Sequence, residues 1–285
     1  MLGAAPFPAY EPHPDVWMLV GMLAAGYWIA VARVGPRLAT PGVAVVTPFQ
    51  VTCFSSGVVA LLVASAWPVH DLGENYLFSV HMVQHLVYSI VAAPLLLLGT
   101  PTWMARALLR PPALLKTVRW WSRFFAATVL FNVVVVLTHI PAVVDAALHN
   151  GLVHFGVHAL ILVSSLVVWM PLASPLPEVP RFQPLVQMLF LFLQAVVPTI
   201  PASFLTFGDR PLYRFYEDVP RLYDGVPVLE DMRIAGLIMK IAAGIVLWVI
   251  IAIVFFRWYD AEEVGTSSRR VPRALDRELM ELPQR

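Results

Sequence analysis

His81 and His85 stand four residues apart in HMVQH, and His154 and His158 repeat the spacing in HFGVH. On a helix, residues four apart lie one turn above each other on one face, so each pair points two imidazoles the same way. Imidazole is a ligand for copper, zinc, iron and nickel, and two on one helix hold a metal ion from two positions, as in the HExxH zinc motif. Neither pair has a glutamate beside its first histidine, so a zinc peptidase of that type is not supported. Both pairs open long apolar runs, FSVHMVQHLVYSIVAAPLLLLGTP over 78–101 and HFGVHALILVSSLVVWMPL from residue 154. An ionisable residue inside a membrane span costs free energy to bury, which makes it a candidate functional group.

The elements that carry the histidines follow from composition. The 285 residues are 59% hydrophobic and only 13% charged, where a soluble domain carries about 25% charge. A net charge of +1 argues against a polyanionic partner, and no basic cluster is interleaved with aromatics as nucleic-acid binding requires. The single cysteine, Cys53, excludes an internal disulfide and a CxxC metal motif. The first residues lack a positive n-region, so the first span is expected to stay in the mature protein. There is no internal repeat.

A span needs about 20 apolar residues. Seven stretches qualify: 15–34, 49–67, 78–99, 124–144, 152–173, 184–206 and 234–256. A short hairpin from Asp145 to Gly151 joins the fourth and fifth. Pro198 and Pro201 should kink or break the sixth. The alternate connections at 35–48, 100–123 and 174–183, the end of the first span and the tail carry 14 Lys and Arg; the opposite side carries four, Arg210, Arg214, Arg221 and Arg233. The bias places the N-terminus outside and the C-terminus in the cytoplasm. The expected fold is all-α: a polytopic, seven-transmembrane-helix bundle over 1–258 and a basic cytoplasmic tail over 259–285. Within that tail, SRRVPRALDRELMEL reads either as an amphipathic helix on the inner surface or as a solvated tail.

This topology puts His81 and His85, and His154 and His158, about 5 and 10 Å below the outer ends of their spans. His139 lies a little over one turn from the outer end of the fourth span. His13, His70 and His149 fall in outer segments, and Cys53 at the cytoplasmic end of the second span, too far away to join them. Met82, Met18 and Met22 offer thioethers, which favour Cu(I), although packing accounts for most such methionines. His139 has no partner four residues away and reads equally well as an interhelical hydrogen-bonding residue. Asp71, Glu74 and Asp145 read as solvated outer-loop charges. Lys240 lies inside the seventh span and either snorkels or pairs with an acid such as Asp231. The segment GDRPLYRFYEDVPRLYDGVPVLEDMR caps the histidines, docks a partner, or is an ordinary interfacial loop with tyrosines at headgroup level.

HMVQHLVYSIVAAPLLLLGTP resembles the integral-membrane cytochrome c oxidase assembly factors of the Bacillus CtaG type. The resemblance continues in LTHIPAVVDAALHNGLVHFGVHALILVSSLVVWMPL, IPASFLTFGDRPLY and LEDMRIAGLIMKIAAGIVLW, covering most of the chain from about residue 50 to residue 258. The chain departs from the expected pattern at Thr138, where the family leads one to expect tryptophan, and at Lys240, where it leads one to expect an aromatic. The resemblance implies a multi-spanning, non-enzymatic protein of the bacterial plasma membrane that is needed to make active haem-copper oxidase, acting by helping copper reach its site.

Residues and resemblance together give the expectation of a copper carrier, with Cu(I) held by His81, His85, His154 and His158, and His139 as a fifth ligand or a supporting residue. The ion passes by ligand exchange to an apo-oxidase subunit. Neutral imidazole nitrogens are required, so binding should weaken below about pH 6.5. The sequence leaves open a homo-oligomer, and zinc in place of copper. Rival readings are a haem-binding electron-transfer protein, with one histidine from each of two spans on the iron, and a metal-free scaffold for an oxidase subunit. A proton-coupled transporter would need ionisable residues along the whole path, and only Lys240 extends inward.

Overall fold

The computed structural model describes residues 7–223 and 226–281, with side chains through residue 263. In chain order the helices are α1 (Pro14–Leu38), α2 (Pro48–Ser65), α3 (Val69–Asn75), α4 (Phe78–Gly99), α5 (Thr102–Leu108), α6 (Pro112–Trp121), α7 (Phe124–Thr138), α8 (Pro141–His149), α9 (Gly151–Ala173), α10 (Pro184–Phe207), α11 (Phe215–Asp218) and α12 (Val228–Glu263, its backbone helical to Glu281). There is no strand among the described residues. Six helices, α1, α2, α4, α9, α10 and α12, are long and apolar enough to cross a membrane. A seventh crossing is present if α6 and α7, which meet at 83°, form one broken span. The molecule is thus an all-α membrane protein with six or seven candidate spans.

Local chemistry sets the helix ends. Thr47 and Gln50 form a reciprocal capping box at the start of α2, with Pro48 in the first turn, where its missing N–H costs nothing. Asn150 caps α9 by accepting from the N–H groups of Leu152 and Val153. No side chain within α4 or before it caps that helix. Its cap comes from across the bundle: Asp231 of α12 accepts from the backbone N–H of Phe78 at 2.7 Å and of Ser79 at 3.3 Å, and from the Ser79 hydroxyl.

Three spans contain a π-helical turn: Ala30–Val34 in α1, Val87–Ala92 in α4 and Ile238–Ala242 in α12. In α4 the wide turn precedes Pro94, which has no N–H for the carbonyl four residues back. His81, His85, Ser89, Ala92, Ala93 and Leu96 all face inward. α2 and α4 cross closely at the far end of α4, where a Cβ on Gly99 would lie 2.6 Å from the Phe54 Cα. Gly99→Ala is therefore expected to destabilise the protein by about 1–3 kcal/mol through overpacking against backbone, measured by thermal unfolding in detergent.

Three of the four core clusters among the described residues position the histidines. Tyr27, Phe54, Leu61, Tyr88, Leu96 and Ile161 join α1, α2, α4 and α9. Ala93, Trp169, Phe190, Leu191 and Leu247 join α4, α9, α10 and α12. At the histidine end, Phe78, Met82, Leu205, Tyr213, Tyr216 and Met232 tie α4 to α10, α12 and the segment between them. That segment caps the bundle: the Tyr213 hydroxyl donates to the His139 carbonyl at 2.9 Å and the Tyr216 hydroxyl to the Gly73 carbonyl at 2.7 Å.

Two expectations need correction, and two further features go beyond the sequence reading. The fourth apolar stretch, read as continuous over 124–144, ends as a helix at Thr138, and a separate helix begins at Pro141, because proline cannot continue the hydrogen-bond ladder. The hairpin from Asp145 to Gly151 is mostly the end of that second helix, α8. The basic connection 100–123 contains two short helices, α5 and α6. Lys240 is exposed on α12 and does not pair with Asp231, whose oxygens are taken by Phe78 and Ser79. The tail segment SRRVPRALDRELMEL is helical in backbone through Glu281, but its side chains lie outside the described residues.

Candidate metal centre

α4 and α9 carry the two histidine pairs face to face. His81, His85 and His158 each place a ring nitrogen within 4.8 Å of the others. The ring centroids of His81 and His85 are 4.4 Å apart, those of His85 and His158 5.1 Å, and those of His81 and His158 5.4 Å. His81 and His85 are buried. Nδ1 of His81, both nitrogens of His85 and Nε2 of His158 are buried with no hydrogen-bond partner. Each unpaired buried polar group costs about 1–3 kcal/mol, so this grouping is expensive unless a ligand joins it.

Neighbours fix the backbone beneath these rings. The Ser89 hydroxyl donates to the His85 carbonyl at 2.7 Å, and the Trp169 indole N–H donates to the Ser89 carbonyl at 2.7 Å. Gln84 lies between the two histidines on α4, is fully buried, and donates to the Ala64 carbonyl at 2.7 Å.

His139 stands beside this trio, its ring 5.8 Å from that of His85. Its Nδ1 is 2.6 Å from the Val135 carbonyl. A carbonyl only accepts, so the proton of the neutral ring sits on Nδ1 and Nε2 carries a lone pair. That lone pair faces the Met82 sulfur at 3.4 Å. A histidine that donates one N–H to a backbone carbonyl and offers the other nitrogen is arranged as a metal ligand is. Met82 is buried with it, whereas Met18 and Met22 are exposed on α1. Below His85, His139 and Met82 lies an apolar cavity of about 80 Å³, walled by residues such as Phe131, Trp169 and Leu191.

His154 turns elsewhere. Its ring contacts His158 at 4.2 Å, but its Nε2 lies 2.7 Å from a Glu74 carboxylate oxygen, which is also 3.0 Å from the His70 Nε2. His70, Glu74 and His154 form a second group whose ligand atoms lie within 4.8 Å of one another. The sequence reading placed His154 with the other three and took Glu74 and Asp71 for solvated charges. Asp71 is instead buried and meets His13 at 2.9 Å; Asp145 is exposed, as expected. The missed signal was available: His70 and Glu74 are also four residues apart, in HDLGE.

Burial is the main reason the His70 imidazole titrates below its ordinary range, with Glu74 offsetting part of the effect. Burial alone would raise the Glu74 carboxyl. The contact with His154 and the charges of His154, His70 and His13 outweigh it and hold Glu74 below the usual carboxylate range.

The chain matches the family model of the cytochrome c oxidase caa3 assembly factor over residues 25–261. No curated protein and no solved structure matches it. A match over most of the sequence, which includes His81, His85, His139, His154 and His158, means that this chain belongs to the cytochrome c oxidase caa3 assembly factor family.

Proposed function

We propose that this assembly factor binds copper, as Cu(I), between α4 and α9 and passes it to a subunit of the oxidase as that enzyme is put together. The observation that carries the reading is the convergence of His81, His85 and His158, with four buried ring nitrogens that have no protein partner. His139 and Met82 add a nitrogen–sulfur pair beside His85. Imidazole and thioether donors suit Cu(I). Three histidines leave a coordination position open, which suits an ion that must be handed on by ligand exchange rather than stored. Copper is cargo here, so the chain acts as a carrier and not as an enzyme.

In this reading the chain sits in a bacterial plasma membrane with seven spans, α6 and α7 counting as one. The N-terminus and the histidine end face outward, as the 14-to-four distribution of Lys and Arg supports. A haem-binding role has little room: the cavity beside His85 and His139, about 80 Å³, is well under the roughly 300–1,000 Å³ of ordinary small-molecule pockets.

The test is copper content and absorbance of the purified chain after loading under reducing conditions, beside a variant with His81, His85 and His158 all changed to alanine. One Cu(I) bound at this site in the wild type, absent from the variant, and no Soret band are expected. A Soret band that the variant lacks would replace copper by haem. Equal copper in both proteins, with equal support of oxidase assembly, would leave the metal-free scaffold.

A further inference from the structure

We propose that His70, Glu74 and His154 form a second, separate metal site that takes a divalent ion of borderline character, of which Zn2+ is the test case. The site is built from two elements. The short helix α3 presents His70 and Glu74 one turn apart on one face, and α9 presents His154. α3 is pressed onto the start of α4 at Gly73, where a Cβ would come within 2.6 Å of the Gln84 Oε1 and 3.1 Å of the His81 backbone nitrogen. The hydroxyl of Tyr216 holds the Gly73 carbonyl. The position of α3 is therefore fixed by packing on two sides.

His154 is 7% exposed. Its Nε2 has no aligned hydrogen bond, although a Glu74 oxygen is 2.7 Å away. In the neutral tautomer protonated at Nδ1, this Nε2 presents a lone pair beside the Glu74 oxygen, where the two can share a cation. A tetrahedral ion bound at about 2.0–2.1 Å needs roughly 3.3–3.4 Å between ligand atoms. The observed 2.7 and 3.0 Å separations need to open by only about 0.3–0.7 Å.

Charge points the same way. Two carboxylates, Glu74 and the buried Asp71, lie on α3, and their ion-pair contacts among the described residues are histidines only. A divalent ion bound to neutral imidazoles would balance both. His13 closes over the group from the N-terminal segment, its ring 4.7 Å from that of His70 and its Nε2 on Asp71.

The donor set separates this site from its neighbour. Two nitrogens and a hard carboxylate oxygen suit Zn2+ or another borderline divalent ion, whereas the all-imidazole trio with Met82 nearby leans toward a softer one. α9 thus supplies one ligand to each site, His158 to the imidazole trio and His154 to the site with Glu74. The inference does not depend on copper binding, because the two sites are assayed with different ions.

The experiment is a Zn2+ titration of the full chain in detergent against a competing chelator. The His81/His85/His158→Ala variant is expected to retain one Zn2+ per chain. Adding His70→Gln and Glu74→Gln to it should weaken that binding by more than the roughly 10–100-fold that loss of a supporting contact costs. His70→Gln with Glu74→Gln alone should leave Cu(I) binding unchanged. A measurement free of variants accompanies these: wild-type protein preloaded with Cu(I) should still take up one Zn2+. Unchanged Zn2+ affinity on losing His70 and Glu74, or Zn2+ uptake blocked by Cu(I), would overturn the second site and identify the His70–Glu74–His154 contact as an ion pair only. Failure of Cu(I) to bind anywhere would instead count against the carrier reading.

Discussion

Changing His85 alone to alanine is expected to lower Cu(I) affinity by at least about 100-fold, the largest effect of any single histidine. His85 lies at the centre of the arrangement, 4.4 Å from the ring of His81, 5.1 Å from that of His158 and 5.8 Å from that of His139. Both of its nitrogens are unpartnered, so nothing but a ligand uses them. His139, whose Nδ1 is already committed to Val135, should cost less, in the range of roughly 10–100-fold typical of supporting groups. The metal-free protein should tolerate the change. Removing two unpaired buried nitrogens relieves about 1–3 kcal/mol each, which opposes the packing lost with the ring. A competition titration read beside a thermal melt checks both halves. Equal affinities for the His85→Ala and wild-type proteins would sink the assignment of the inner site.

Asp231→Ala is expected to cause the largest loss of stability, about 2–4 kcal/mol. Asp231 is 1% exposed and accepts from two N–H groups in the first turn of α4 and from the Ser79 hydroxyl. Charge-assisted bonds at a helix N-terminus are among the stronger ones, and the carboxylate also complements the helix dipole. Alanine leaves these donors buried and unpaired. Asp231→Asn keeps an acceptor oxygen and should lose about half as much. Because the cap orients the turn that holds His81, the alanine variant should also bind copper more weakly than its residual fold would suggest. Thermal unfolding of the three proteins in one detergent is the measurement, and superimposable melts would show that the cap contributes nothing.

Much of the fold was legible because a bilayer imposes a long apolar run on each crossing. The runs at 78–99 and 152–173 match α4 and α9 to within a residue or so. The run at 124–144 misled because hydropathy is blind to Pro141, which starts a new helix in an equally apolar stretch. The site was legible as histidine pairs, since a spacing of four guarantees a shared helix face. The division of those histidines between two groups was not, because it depends on what lies beside each face. α3 is only seven residues long, too short to show a period, and its packing against α4 depends on Gly73 lacking a side chain. Asp231 was equally hidden: 153 residues separate it from Phe78, and only the tertiary fold shows which helix start it serves.

The close crossing at Gly99 has a mechanical consequence. Phe54 and Gly99 pin α4 to α2 backbone against backbone, while His81 lies 18 residues away along the same helix, about 27 Å at the usual rise. Measured from that pivot, α4 is a long arm whose other end, seated by the Asp231 cap and by α3, carries two of the histidines. A tilt of only about 2° about the pivot displaces that end by roughly 1 Å. Ligand distances in a metal site hold to about 0.2 Å, so in the copper-carrier reading a tilt that small is enough to disturb the inner site. In the copper-carrier reading proposed above, a partner that leans on the Tyr213–Tyr216 cap releases the ion without unfolding anything.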